Sequence, residues 1–202
     1  MTKNLTISAT VLAAALTLAG CSAGTGTTGS SMPGMDHGSS SMPATAAPLD
    51  TVTNNAADTM FVQGMIPHHS QAVEMSDIIL QKQDIDPQVT ALATKIKAAQ
   101  APEIDTMTGW LNTWNEPEQM APGHEMTGMM GEGDLDELRA AEGTEAAKLF
   151  LTQMVAHHQG AVMMAQTEEA QGQNADALAL SKNIITSQQA EIEEMQILLG
   201  SL

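Results

Sequence analysis

Two stretches decide the reading of this chain: FVQGMIPHHSQAVEM at residues 61–75 and FLTQMVAHHQGAVMM at residues 150–164. Set against each other, they place Phe61 on Phe150, Met65 on Met154, His68-His69 on His157-His158, Ala72-Val73 on Ala161-Val162 and Met75 on Met164. At about 100° per residue, Phe61, Met65, His68, Ala72, Met75 and Ile79 share one narrow arc of a helix. Each copy therefore reads as an amphipathic helix with an imidazole on its core stripe. His69 and His158 lie towards the flank of that stripe, beside residues such as Val62 and Val73.

A second pair of blocks follows. Ile96, Gln100, Glu103, Ile104, Met107 and Leu111 fall on Ile184, Gln188, Glu191, Ile192, Met195 and Leu199. Each half is thus one helix bearing His-His and one bearing Gln-x-x-Glu-Ile-x-x-Met. Asp86-Pro87 is an N-cap followed by proline at the first helical position. Thr144 is placed to cap the third long helix, and Gly172 and Gly200 to end helices. The spacing predicts long helices near 56–82, 87–114, 144–171 and 176–199, with a short one at 134–141 opened by an Asp134/Glu137 capping box. Short turns make the partners within each half antiparallel. The expected architecture of residues 51–202 is all-α: a four-helix bundle of two duplicated hairpins, 54–114 and 134–200, joined by a crossover at 115–133. Pro67 and Pro102 should kink their helices, and because Ala156 stands opposite Pro67, the two halves should present their histidines differently.

Composition narrows the function. Of the 202 residues, 7 are basic and 24 acidic, a formal net charge of −17, which opposes any phosphate backbone and excludes a nucleic-acid partner. Aromatics are 2% of the chain while methionine occurs 16 times, so the core must be aliphatic and thioether. The single cysteine, Cys21, rules out disulfide frameworks and thiolate metal cages. Residues 1–20 carry Lys3 and then an apolar run ending in Leu18-Ala19-Gly20-Cys21, which reads as a signal peptide. Its end resembles a bacterial lipobox, with Cys21 as the lipidated residue. Residues 21–50 are rich in Gly, Ser, Thr, Pro and Ala, the composition of a tether. That tether nevertheless holds Met32, Met35, His37 and Met42.

An imidazole facing a helical core needs a hydrogen-bond partner or a metal, since leaving it unsatisfied costs about 1–3 kcal/mol. Gln100, Glu103, Gln188 and Glu191 are available as ordinary partners. Against that bland reading, the copies have diverged at most other positions while keeping Met, His and His together. A di-iron bundle would use Glu-x-x-His, whereas this chain has Met65-x-x-His68 and Met154-x-x-His157. Replacing carboxylate by thioether turns selectivity towards Cu(I), with Ag(I) as its mimic. Met65, His68, Met75, Met154, His157 and Met164 are the expected core ligands, with His69 and His158 as second ligands or gates. Met107 and Met195, the tether residues, and Met120, His124, Met126, Met129 and Met130 of the crossover are expected secondary capture sites. Ligation by histidine predicts loss of copper as pH falls through about 6.5 or below.

The doubled Phe-x-x-x-Met-x-x-His-His-x-x-Ala-Val-x-Met motif and the Gln-x-x-Glu-Ile-x-x-Met helices resemble the bacterial family catalogued as domain of unknown function three hundred and five. Its ferritin-like bundles include the CopM-type extracytoplasmic copper-binding proteins. The resemblance covers about residues 54–200. It implies a copper-binding bundle involved in copper tolerance; the leader and lipobox place the expected protein in the cell envelope, and the missing Glu-x-x-His pairs and scarce aromatics make the expectation non-enzymatic. The resemblance carries over to Met65, His68, His69, Met75, Met154, His157, His158 and Met164. One departure is that Asp58, three residues before Phe61, has Ala147 as its counterpart. The expected partners are the metal ion, the membrane through Cys21, and a protein that exports or receives copper. A ferritin-like oxidase, a haem-binding bundle and a purely protein-binding bundle are the competing readings.

Overall fold

The computed structural model describes residues 53–120 and 126–202. These residues form five helices, α1 Ala56–Leu80, α2 Pro87–Trp114, α3 Glu132–Ala140, α4 Gly143–Gln171 and α5 Ala175–Ser201. Four are long and one is short, as the periodicity predicts. Cys21, Met32, Met35, His37, Met42 and His124, together with the leader and tether, lie outside the described residues.

Local chemistry explains the helix ends. Asn55 caps α1, its side chain accepting from the Ala57 and Asp58 N–H groups, while Asp58 Oδ2 accepts from the Asn55 N–H in return. Asp86 accepts from the Gln88 N–H at 2.7 Å, and Pro87 opens α2 as expected. Three boundaries differ from the sequence reading. Helix α3 starts at Glu132, and Asp134 is not its cap but its third residue, reaching back to accept from the Gly131 N–H at 2.8 Å. Thr144 is not a cap either, because α4 already begins at Gly143 after an N-cap residue, Glu142, whose side chain makes no capping bond. Gly200 does not end α5, which continues to Ser201.

The side-chain bonds fix the topology. Asn55 Nδ2 donates to the Gln171 carbonyl, and Asp58 accepts from the Gln173 and Asn174 N–H groups, so α1 begins where α4 ends. At the opposite end Lys82 Nζ donates to the carbonyls of Arg139 and Ala141, just before α4 starts. Helices α1 and α4 are therefore an antiparallel central pair. Helix α2 packs on α1 and α5 on α4, each returning through a short connection, and Lys95 links α2 to Glu191 and Glu194 of α5.

The core is divided in two. One cluster holds Met75, Ile79, Leu92, Ile96, Phe150, Met154 and Met195, closed by Leu135 and Leu138 of α3. The other holds Phe61, Val62, Met65, Met107, Leu111, Ala161 and Ile184. A fully buried side chain of this size contributes about 1.5–3 kcal/mol, and the bundle rests on these two sets. Between them, at the middle of α1 and α4, lie the histidines.

The crossover is pinned across the α1–α4 seam. Gln63 Nε2 donates to the Pro117 carbonyl at 2.6 Å, Gln153 Nε2 to the Asp134 carbonyl at 2.8 Å, and Gln71 exchanges two bonds with the Met130 backbone. Gly160, at the position that Gln71 fills in the first copy, has no side chain because Thr127 and Gly128 pass directly against its Cα. Gly128 takes a φ of 86°, the left-handed region that glycine enters without penalty.

Candidate metal centre

All four paired histidines are buried, with relative exposures of 0–1%. His69 and His158, expected on the flank, are as enclosed as His68 and His157. The reason is that α1 and α4 are each sandwiched between two neighbours, so the flank that carries the second histidine is covered by α2 or α5.

The outer histidines have carboxylate partners. His69 Nε2–H donates to Glu103 Oε2 at 2.8 Å, and His158 Nε2–H donates to Glu191 Oε2 at 2.9 Å. Burial holds the His158 imidazole below its ordinary range despite the Glu191 carboxylate. Burial alone would raise Glu191, but the hydrogen bond from His158 and the Lys95 charge keep it below the usual carboxylate range. A neutral imidazole thus donates to an ionised carboxylate. This fixes the tautomer of His158: with the proton on Nε2 its Nδ1 carries a lone pair, and the Nδ1 atoms of His69 and His158 are both buried without a partner.

The inner histidines meet across the seam. The His68 and His157 rings lie 3.8 Å apart between centroids, inclined at 40°. His68 Nε2–H donates to the Thr127 carbonyl at 3.3 Å, leaving its Nδ1 bare, and neither nitrogen of His157 has a partner. Pro67 and Ala156 stand before these two rings, and the halves do differ as expected: one inner histidine touches the crossover and the other does not. Burial, then the neighbouring histidines, push His68 down to about 3 and His157 well below its ordinary value. Both rings are neutral near neutral pH.

A layer of four buried imidazoles with unpartnered nitrogens fits a metal ion better than it fits packing, because each orphaned polar atom costs free energy in the apo protein. The outer carboxylates match the second shell that orients ligating histidines. Among the described residues no three His, Cys, Asp or Glu side chains converge as a metal-binding group.

The predicted methionines divide between the two clusters. Met65 and Met107 share theirs with Met164, and Met154 and Met195 share theirs with Met75, so each cluster takes the Met75-type residue from the opposite copy. Met65, Met75, Met107, Met154 and Met195 are fully buried. Met120 and Met126 come together with Met164 around Gly64, Met130 packs against the first cluster, and Met129 lies half-buried in the crossover.

Sequence reasoning missed the Asp58–Glu168 pair. Both carboxyls are buried, and Glu168 lies against Gly172, where any side chain would collide with it. Burial and then the nearby Asp58 carboxyl push Glu168 up to about 8, and both of its carboxyl oxygens are buried without a partner, whereas the backbone N–H groups of Asn55, Asn174 and Gln173 overcome burial to hold Asp58 low. The departure already visible at Asp58/Ala147 marked half of this pair.

An all-α bundle of two hairpins closed around a doubled His-His layer defines the class of this protein. The chain matches the family described as domain of unknown function, DUF305, over residues 58–199, and it belongs to that family. It is similar to a DUF305 protein of Streptomyces coelicolor described as secreted, at 33% identity and a TM-score of 0.69, covering 72% of this chain and 93% of that one. A DUF305 fragment from Deinococcus radiodurans is 30% identical with a TM-score of 0.67, covering 73% and 98%. CopM in its Cu(I)-bound form is 33% identical with a TM-score of 0.60, covering 71% and 96%. CopM structures also exist with Cu(II) and with silver. Protein L153 of Acanthamoeba polyphaga mimivirus is 42% identical over 55 residues, 27% of this chain and 36% of that protein's length. No helix among the described residues is long and apolar enough to cross a membrane.

Proposed function

We propose that this chain is a non-enzymatic copper-binding protein of the cell envelope. It is anchored by lipid on Cys21, sequesters or hands on Cu(I), and thereby contributes to copper tolerance. The observation that carries the reading is the layer of buried imidazoles, each with an unpartnered nitrogen, set between two methionine-containing cores. Its likeness to CopM, solved with copper and with silver, supports the same ion class. His68, His69, His157 and His158 are the nitrogen donors, and Met65 and Met154, one turn earlier on the same helices, are the nearest thioethers in sequence. Glu103 and Glu191 position the outer rings. The reading favours binding over oxidase chemistry because no Glu-x-x-His precedes the paired histidines.

A competitive Cu(I) titration, run beside Zn(II) and Fe(II), tests it. The expected result is tight Cu(I) binding that falls at least a hundredfold when the four histidines become alanine, with far-UV circular dichroism confirming a folded variant. Equal affinity for the three ions, or binding untouched by the substitutions, would overturn the reading.

A further inference from the structure

The two halves of the bundle are copies, yet one pair of equivalent places has been built in opposite ways. In the second copy, Leu149, Phe150 and Gln153 of α4 face Met75, Ile78 and Ile79 of α1. There α3 adds Leu135 and Leu138, and Gln153 bonds the Asp134 carbonyl, giving a closed aliphatic core. At the matching end of the first copy the residues are Met60, Phe61 and Gly64 of α1 with Met164, Thr167 and Glu168 of α4. Among the described residues no helix closes this end. Instead a cavity of about 210 Å³ remains, lined by Met60, Met120, Met126 and Met164 among others.

Gly64 makes the cavity a sulfur site. A Cβ placed there would sit 3.5 Å from the Met120 sulfur and 3.6 Å from the Met164 sulfur, so two thioethers from different segments converge over a bare backbone. Met60 is 48% exposed, far more than the methionines of the core. Leucine or isoleucine would fill such a space more firmly. Methionine brings three rotatable bonds and a soft sulfur donor instead.

We propose that this cavity binds one soft monovalent ion, Cu(I) or Ag(I), through the thioethers of Met60, Met120, Met126 and Met164, separately from the histidine layer. The inference rests on the soft-ion reading of the chain but not on the histidines as ligands. Among the described residues the cavity reaches the exposed Met60 side chain while the four histidines are sealed, so an incoming ion can meet the sulfur site without the bundle opening. Thioethers hold no proton in this range, and Glu168, which also lines the cavity, is pushed up to about 8 and so holds its proton at both pH 7 and pH 5; binding here is therefore expected to be alike at those two pH values.

The test uses the full chain labelled with ¹³C at the methionine methyl groups and ¹⁵N at histidine, titrated anaerobically with silver nitrate. The methyl signals of Met60, Met120, Met126 and Met164 are expected to shift at pH 7 and equally at pH 5. The variant M60L/M120L/M126L, which conserves volume and leaves Met164 in place, is expected to bind one equivalent of Ag(I) fewer while its imidazole signals still respond. Methyl signals that stay fixed while the imidazoles shift would overturn this site and leave the histidine reading intact. Methyl shifts with silent imidazoles would uphold this site and overturn the histidine reading. Silence in both would end both.

Discussion

The proton on Nε2 of His158 is where the chemistry of the site begins. Glu191 accepts it at 2.9 Å and so leaves Nδ1 as the free donor. Glu191→Gln replaces an ionised acceptor by a weaker neutral one. Outer partners of this kind are worth about 10- to 100-fold in metal affinity, so the variant is expected to bind Cu(I) weaker by that factor with unchanged helicity, read by competitive titration. Glu168 gives a second test. Its folded value near 8 stands above the ordinary carboxylate value, so the folded state holds a proton that the unfolded state releases, and stability falls as pH rises from about 4.5 to 8. Glu168→Gln removes that loss. Urea unfolding at pH 8 is expected to show the variant more stable by about 1–3 kcal/mol, with the gain vanishing near pH 4.5. Individual residues were unevenly legible: the core placement of His68 and Met65 followed from angular spacing, and Glu103 and Glu191 were recognisable as partners. The Glu168–Asp58 contact joins residues more than a hundred positions apart, and no local pattern announces it.

At the level of elements, the crossover and the α1–α4 pair decide how the layer is covered. The crossover crosses α4 at Gly160, where backbone lies against backbone. Gly160→Ala is expected to lift residues 127–130, costing about 1–3 kcal/mol by overpacking. Hydrogen exchange at the Met130 amide, now bonded to Gln71, is expected to accelerate; unchanged protection would show that the crossover is not held there. Helix existence was readable from the angular spacing and caps, and the pairing within each half from the short turns. Boundaries were less so: Asp134 and Thr144 look alike as capping residues, and only the path of the chain decides that Gly131 and Glu142 precede the helices. The swap by which Met75 and Met164 each join the other copy's cluster follows from the antiparallel α1–α4 pairing, which repeat alignment does not specify.

For the whole molecule, the sealed layer predicts a pH response unlike that of free histidine. His68 near 3 refuses protons that its unfolded counterpart accepts below about 6.5, so stability is full above 6.5 and is lost as pH falls towards 3. The lowered carboxylates Asp58 and Glu191 add to the loss only below the ordinary carboxylate range, and Glu168 opposes it. In the Glu168→Gln background the urea midpoint is therefore expected to decline steadily from pH 6.5 to 5, and a flat profile would contradict neutral burial. Copper held by the layer is expected to persist to pH 5, below the loss near 6.5 that exposed imidazoles imply. The composition made the metal class legible through the methionine excess. Burial, which sets the proton competition, belongs to the assembled bundle.

The central claim is that imidazole nitrogens in the sealed layer hold Cu(I), and nitrogen NMR of the ¹⁵N-histidine chain addresses it directly, since Cu(I) is diamagnetic. On adding Cu(I), at least one Nδ1 signal among His68, His69, His157 and His158 is expected to move, while the Nε2 signals of His69 and His158 keep their attached protons. Copper that binds tightly while all four rings keep their free-protein signals would contradict the account.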